Sequence, residues 1–107
     1  MRILEFDVQK QRLNKHKGCD FGGLVAGSVG YLYAKFYFLD NDWSRCPNKF
    51  AKFWINGQEH AKQLDGKGCC EIPSEVLVGG KFEVSVLGVS PRCQIETNKI
   101  TVRQGVN

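Results

Sequence analysis

The chain has 107 residues, 42% hydrophobic and 24% charged, with a formal net charge of +4. That length allows one domain, spanning 1–107, which buries about two-thirds of its unfolded surface and needs no metal or disulfide staple. The composition excludes a disordered chain. No apolar run approaches the ~20 residues of a membrane span, and MRILEFDVQK lacks a signal-peptide core, so neither a membrane nor secretion is expected.

Apolar residues recur at period two, and no long segment carries a helical period. Ile3 to Val8 reads as a strand with Leu4, Phe6 and Val8 on one face. Lys10, Arg12, Lys15, His16 and Lys17 follow as a basic cluster, read as a solvated loop. A nucleic-acid binder would concentrate its charge on one face and add a reading motif; none is present, so no nucleic-acid partner is expected. In DFGGLVAGSVG the glycines mark bends, and Leu24 to Ala26 is expected to form a short strand. A phosphate loop would need Lys-Ser or Lys-Thr after these glycines, and neither pair follows.

Tyr31 to Leu39 is the strongest strand signal. Leu32, Ala34, Phe36 and Phe38 fall on one side, and Tyr31, Tyr33, Lys35, Tyr37 and Leu39 on the other. Asp-Asn-Asp-Trp comes next, at 40–43. A calcium loop counted from Asp40 would need Gly and Glu at its sixth and twelfth positions, which hold Arg45 and Ala51. Asp42 and Trp43 therefore read as a structural corner, with acids bonding the local backbone and the indole plugging the core.

Lys49 to Ile55 again has two faces, Ala51, Phe53 and Ile55 against Phe50, Lys52 and Trp54. Asn56-Gly57 predicts a type I′ hairpin turn, whose central residues both need positive φ. Its partner is Gln58 to Leu64, followed by a turn at Asp65 to Gly68. Cys69 to Ile72 is a short strand stopped by Pro73. Ser74 reads as the N-cap of one helical turn to Leu77, closed by Gly79-Gly80. Lys81 to Val89 alternates with Phe82, Val84 and Val86 inward. Ser90-Pro91 then turns the chain into strands at Cys93 to Thr97 and Lys99 to Arg103. Seven or eight short strands with little helix predict an all-β fold, a single antiparallel two-sheet sandwich of the immunoglobulin or jelly-roll kind.

Chemistry is sparse. The five cysteines, Cys19, Cys46, Cys69, Cys70 and Cys93, match no paired CxxC zinc spacing. They read as reduced thiols acting as small hydrophobes, with one disulfide as the alternative. His16 and His60 lie in polar contexts and read as exposed. No nucleophile with a base, no paired acids and no metal cluster is recognisable, so no catalytic, cofactor-binding or metal-ligating residue is assigned and no enzyme is expected.

The outward aromatics are the exception. Alternation places Tyr31, Tyr33, Lys35 and Tyr37, and likewise Phe50, Lys52 and Trp54, away from the core. They form either an interface or a second small core beneath a loop.

Three segments, LVAGSVGYLYAKFYFLDNDW, KFAKF and CEIPSEVLVGGKFEVSVLGV, resemble a module of phages of Gram-positive bacteria. It lies at the N-terminus of baseplate upper proteins and in related small virion proteins. The matching positions are Asp42 and Trp43; Lys49, Ala51 and Phe53; Ile72, Pro73, Glu75, Val76 and Leu77; and Gly80, Phe82, Val84, Ser85, Val86 and Gly88. The chain departs from the module at Cys46-Pro47, where a small Gly-containing turn is the pattern, and no coiled-coil or receptor-binding extension is expected. The resemblance implies structure and assembly in the baseplate, tail or head, with no cofactor. Its partners would be copies of itself or other virion proteins, in a homo-oligomer located in the virion and, during assembly, in the host cytoplasm. The alternative is a carbohydrate-binding module that stacks host-surface sugars on the same Tyr and Trp rings.

Overall fold

The computed structural model describes residues 1–105, which form nine strands and two short 3-10 turns. The strands are β1 (Arg2–Gln9), β2 (Arg12–Lys15), β3 (Leu32–Phe38), β4 (Asn48–Ile55), β5 (Gln58–Gln63), β6 (Cys69–Glu71), β7 (Gly80–Val89), β8 (Gln94–Glu96) and β9 (Ile100–Gln104). One sheet has the order β2-β1-β3-β6. The other runs β5-β4-β7, with β8 and β9 following one another along the remaining edge of β7.

Period-two patterning explains why the two sheets pack face to face. Leu4, Phe6 and Val8 of β1 and Leu32, Ala34 and Phe36 of β3 are buried against Ala51 and Phe53 of β4, Phe82, Val84 and Val86 of β7, and Val102 of β9. The Phe6 ring stacks on Phe36 at 5.0 Å, and Phe53 meets Phe82 at 6.3 Å. Each fully buried large side chain contributes about 1.5–3 kcal/mol by apolar area. The β-sandwich expected from the sequence is the fold observed.

Direction of pairing was not encoded in the alternation. β1 and β3 are parallel, from Arg2 opposite Leu32 to Val8 opposite Phe38, whereas the other strand pairs are antiparallel. Parallel neighbours require a crossover, and residues 16–31 supply it. Phe21 of that crossover packs edge-on against Phe6 at 5.4 Å, while Leu24 and Ala26 are buried.

Several local expectations are corrected. The basic segment is not a loop: Arg12–Lys15 is β2, hairpinned to β1 with Gln9 opposite Arg12 and Leu13 fully buried. Its turn places Lys10 at φ 53, a conformation that usually advertises itself with Gly or Asn. The segment Leu24 to Ala26 makes one bridge, Val25 to Gly105, and no named strand. Pro73, not Ser74, occupies the cap position of the turn Ser74–Val76, and no side-chain capping bond forms. This turn is 3-10, held by Val76 N–H to Pro73 O and Leu77 N–H to Ser74 O.

Other expectations hold. Asn56 and Gly57 have φ 51 and 76 at the β4–β5 hairpin. The turn at Asp65 is built on that carboxylate, which accepts from the Lys67 and Cys69 N–H groups at 2.8 and 2.9 Å and is held below its ordinary pKa by those bonds. Gly68 has φ +77, and a Cβ there would lie 2.6 Å from the Phe36 carbonyl oxygen, so only glycine fits where β3 and β6 converge.

The two sheets are stitched at one edge by Asn98, between β8 and β9. Its Oδ1 accepts from Leu13 N–H at 2.8 Å and its Nδ2 donates to Leu13 O at 3.4 Å, imitating a neighbouring strand. Asn98 N–H also donates to Gln11 O. The free edge of β2 is thereby covered at Leu13, which removes a site for adventitious strand pairing.

Candidate functional site

The chain between β3 and β4 crosses from one sheet to the other, and the 3-10 turn Asp42–Arg45 makes that crossing. Trp43 is fully buried and its Nε1 donates to Lys10 O at 2.7 Å. Asp40 accepts from Lys10 N–H at 2.6 Å and from Asp42 N–H at 3.1 Å. The strained Lys10 turn is thus clamped from both sides by the corner. Asp40 is the acid that ties this corner together, while Asp42 opens its first turn and lines a surface cleft with Arg45 and Cys93.

The outward residues do not form one patch. Because β3 and β4 belong to different sheets, Tyr31, Tyr33, Lys35 and Tyr37 lie on or beside one outer face, and Phe50, Lys52 and Trp54 on the opposite one. Adjacency in sequence hid this, since the corner that separates them is only a few residues long.

On the first face the parallel register sets up rows across the strands. Ile3 lies beside Tyr33 and Glu71, Glu5 beside Lys35 and Cys69, and Asp7 beside Tyr37 and Asn14. The Tyr37 hydroxyl donates to Glu5 Oε2 at 2.5 Å, which pushes its phenol pKa above 10.0, with burial and the nearby negative charge adding to the rise. His16 Nδ1 lies 2.7 Å from Asp7 Oδ1, and its ring is 5.0 Å from that of Tyr37. The exposed histidine expected at 16 is therefore engaged. Lys35 Nζ donates to Lys67 O and sits 5.1 Å from the Tyr37 ring. These two rows are a self-satisfied polar network. The remaining row ends in Glu71 but is open at its apolar end: Ile3 is 43% exposed and Tyr31, just before β3, 49%, flanking half-buried Tyr33.

On the second face Trp54 is pinned. Its Nε1 donates to Ser85 Oγ at 3.1 Å, burying that serine, and Lys99 Nζ sits 3.7 Å from the ring centroid. Such a contact is worth about 0.5–2 kcal/mol. Lys52 pairs with Glu96 at 3.0 Å and Glu59 at 3.6 Å. Phe50, half-buried, stands opposite Leu87.

Ile3 is the residue that sequence reasoning missed. Its outward position was legible, but its place beside Tyr33 depends on the parallel β1–β3 register. Among the described residues, no group of three or more His, Cys, Asp or Glu side chains is arranged to hold a metal ion. Among the described residues, no helix is long and apolar enough to cross a membrane.

No family model matches the sequence, and no curated protein matches it. Among solved structures, the fold is similar to the N-terminal domain of phage TP901-1 ORF48, with a TM-score of 0.57 and 9% sequence identity. The similarity covers 100% of this chain and 99% of that one. At that identity the two share a fold, laid out over the whole of both chains.

Proposed function

We propose that this protein is a non-enzymatic structural component of a bacteriophage particle, in the baseplate, tail or head, acting through protein–protein contacts. The observation that carries the reading is the end-to-end likeness to a phage protein domain, which agrees with the motif resemblance in the sequence. The partner proposed is a second copy of this chain. The docking surface is Ile3, Tyr31 and Tyr33, because these side chains are open, with Glu71 at the end of their row, while the neighbouring rows on the same face satisfy one another. Rigid aromatics of this kind dominate interface energetics, and repetition in a particle adds avidity. The protein would be made in the host cytoplasm and reside in the virion.

The rival carbohydrate-binding reading draws less support from the geometry. Lys99 occupies the ring of Trp54, and His16 and Lys35 crowd that of Tyr37, so a sugar would displace existing contacts before stacking. Light scattering over a concentration series, run beside glycan-binding assays, separates the two. The assembly reading expects a mass rising above the 12.1 kDa monomer and no glycan binding. A concentration-independent monomer that binds glycans would replace it with the rival.

A further inference from the structure

Two cysteines far apart in sequence lie near one another beside the corner. β7 carries Gly88 opposite Ile95 and Val89 opposite Gln94, and the turn beyond is closed by Ser90 N–H donating to Cys93 O at 2.8 Å. Cys93 stands just before β8 in that turn and lines the same surface cleft as Ile95 and Arg45. Cys46 reaches that point from the other direction. It follows the Trp43 turn, and a Cβ built on Gly88 would fall 3.0 Å from the Cys46 Cβ. Cys46 therefore lies over Gly88, two residue pairs along the ladder from Cys93.

The two differ in access. Cys46 is buried, whereas Cys93 is exposed and opens onto the cleft lined by Asn41, Asp42, Ser44 and Arg45. Burial first, and then the adjoining Cys93 thiol, push the Cys46 pKa up. The remaining cysteines are placed elsewhere. Cys69 and Cys70 are on β6 of the other sheet, and Cys19 lies beside β1 with its sulfur 3.8 Å from Ile3 O.

We propose that Cys46 and Cys93 are a thiol pair that closes to a disulfide by exchange with a low-molecular-weight disulfide such as oxidised glutathione, locking the Trp43 corner to the β7–β8 turn. The exposed Cys93 thiolate attacks one sulfur of the oxidised glutathione, forming a mixed disulfide and releasing one glutathione thiol. Cys46 then loses its proton to solvent and attacks the Cys93 sulfur, expelling the second glutathione thiol. Two protein thiols are oxidised, one glutathione disulfide is reduced to two thiols, and the chain loses two hydrogens. The closed loop of nearly fifty residues restricts the unfolded chain, the usual origin of disulfide stabilisation. This goes beyond the assembly reading and does not depend on it: the chemistry belongs to the monomer.

The test equilibrates the full chain with oxidised glutathione and measures free thiols, tryptic peptides and Tm, on wild type and Cys93→Ser. The expected result is a fall from five titratable thiols to three, with the peptide Cys46–Lys49 joined to Cys93–Lys99. The oxidised protein should melt on the order of 10 °C above the reduced one, a rise absent from Cys93→Ser. A glutathione adduct on Cys93 with Cys46 still free, a cross-link joining any other pair, or an equal rise in Cys93→Ser would each overturn the proposal.

Discussion

The Trp43 indole rests directly on Gly88: a Cβ there would lie 2.9 Å from both Cε3 and Cζ3 of the ring. This contact closes the end of the sandwich, because the ring also approaches Phe38 at 5.4 Å and holds the Lys10 turn through Nε1. A methyl group at 88 has nowhere to go, since the ring is buried on every side. Gly88→Ala should therefore destabilise the fold by about 1–3 kcal/mol, as overpacking does. Trp43→Ala should lose about 3–5 kcal/mol. Urea unfolding measures both, and a Gly88→Ala variant with the wild-type midpoint would show that the indole can move aside.

Asn98 offers a sharper local readout. Asn98→Leu preserves size but leaves the Leu13 N–H and C=O without their side-chain partners. The expected loss is about 1–3 kcal/mol, the usual penalty for unpaired backbone groups. Hydrogen exchange should accelerate at Leu13 while the amides of β4 keep their protection. Uniform acceleration across both sheets would mean that the stitch has no local role.

Tyr37 gives a pH-dependent test. Its folded pKa lies above 10.0 because its hydroxyl donates to Glu5, so the protonated phenol is favoured by folding. The contribution to stability is fully present below pH 10.0 and is lost as the pH rises through the raised value. Ultraviolet titration should resolve one phenol ionising late. Glu5→Gln should bring that step back toward 10.0, and Tyr37→Phe should remove it. A late step that survives Tyr37→Phe would assign it to another tyrosine.

Much of this fold could be read from alternation: the inward faces of β1, β3, β4 and β7, the Asn56-Gly57 hairpin and the Asp65 turn. What failed has physical causes. β2 was hidden because its turn uses Lys10 at positive φ without a glycine, held instead by Asp40 and Trp43 from another part of the chain. The parallel β1–β3 register depends on a crossover whose residues look like loop. The aromatic patch divided in two because period-two patterning distinguishes inside from outside but not one outer face from the other. Trp54 looked free in sequence, since nothing local announces Lys99, far along the chain, above its ring.

The pinned Trp54 therefore behaves differently from the open row. Trp54→Ala should lower the Tm by several degrees, through loss of the Lys99 contact and the Ser85 hydrogen bond, each worth about 1 kcal/mol. It should leave self-association unchanged. Loss of association in this variant would move the docking surface to the second face.

Sedimentation velocity on wild type and an Ile3→Ala, Tyr33→Ala double variant, over a concentration series, tests the central claim most directly. The row joins two strands but lies outside the core, so the variant should unfold cooperatively within a few degrees of wild type. Wild type is expected to sediment as a concentration-dependent oligomer, and the double variant as a monomer throughout, because aromatic anchors carry about 2 kcal/mol or more each. A wild type that stays monomeric at every concentration, or a double variant that associates as wild type does, would contradict assembly through this face.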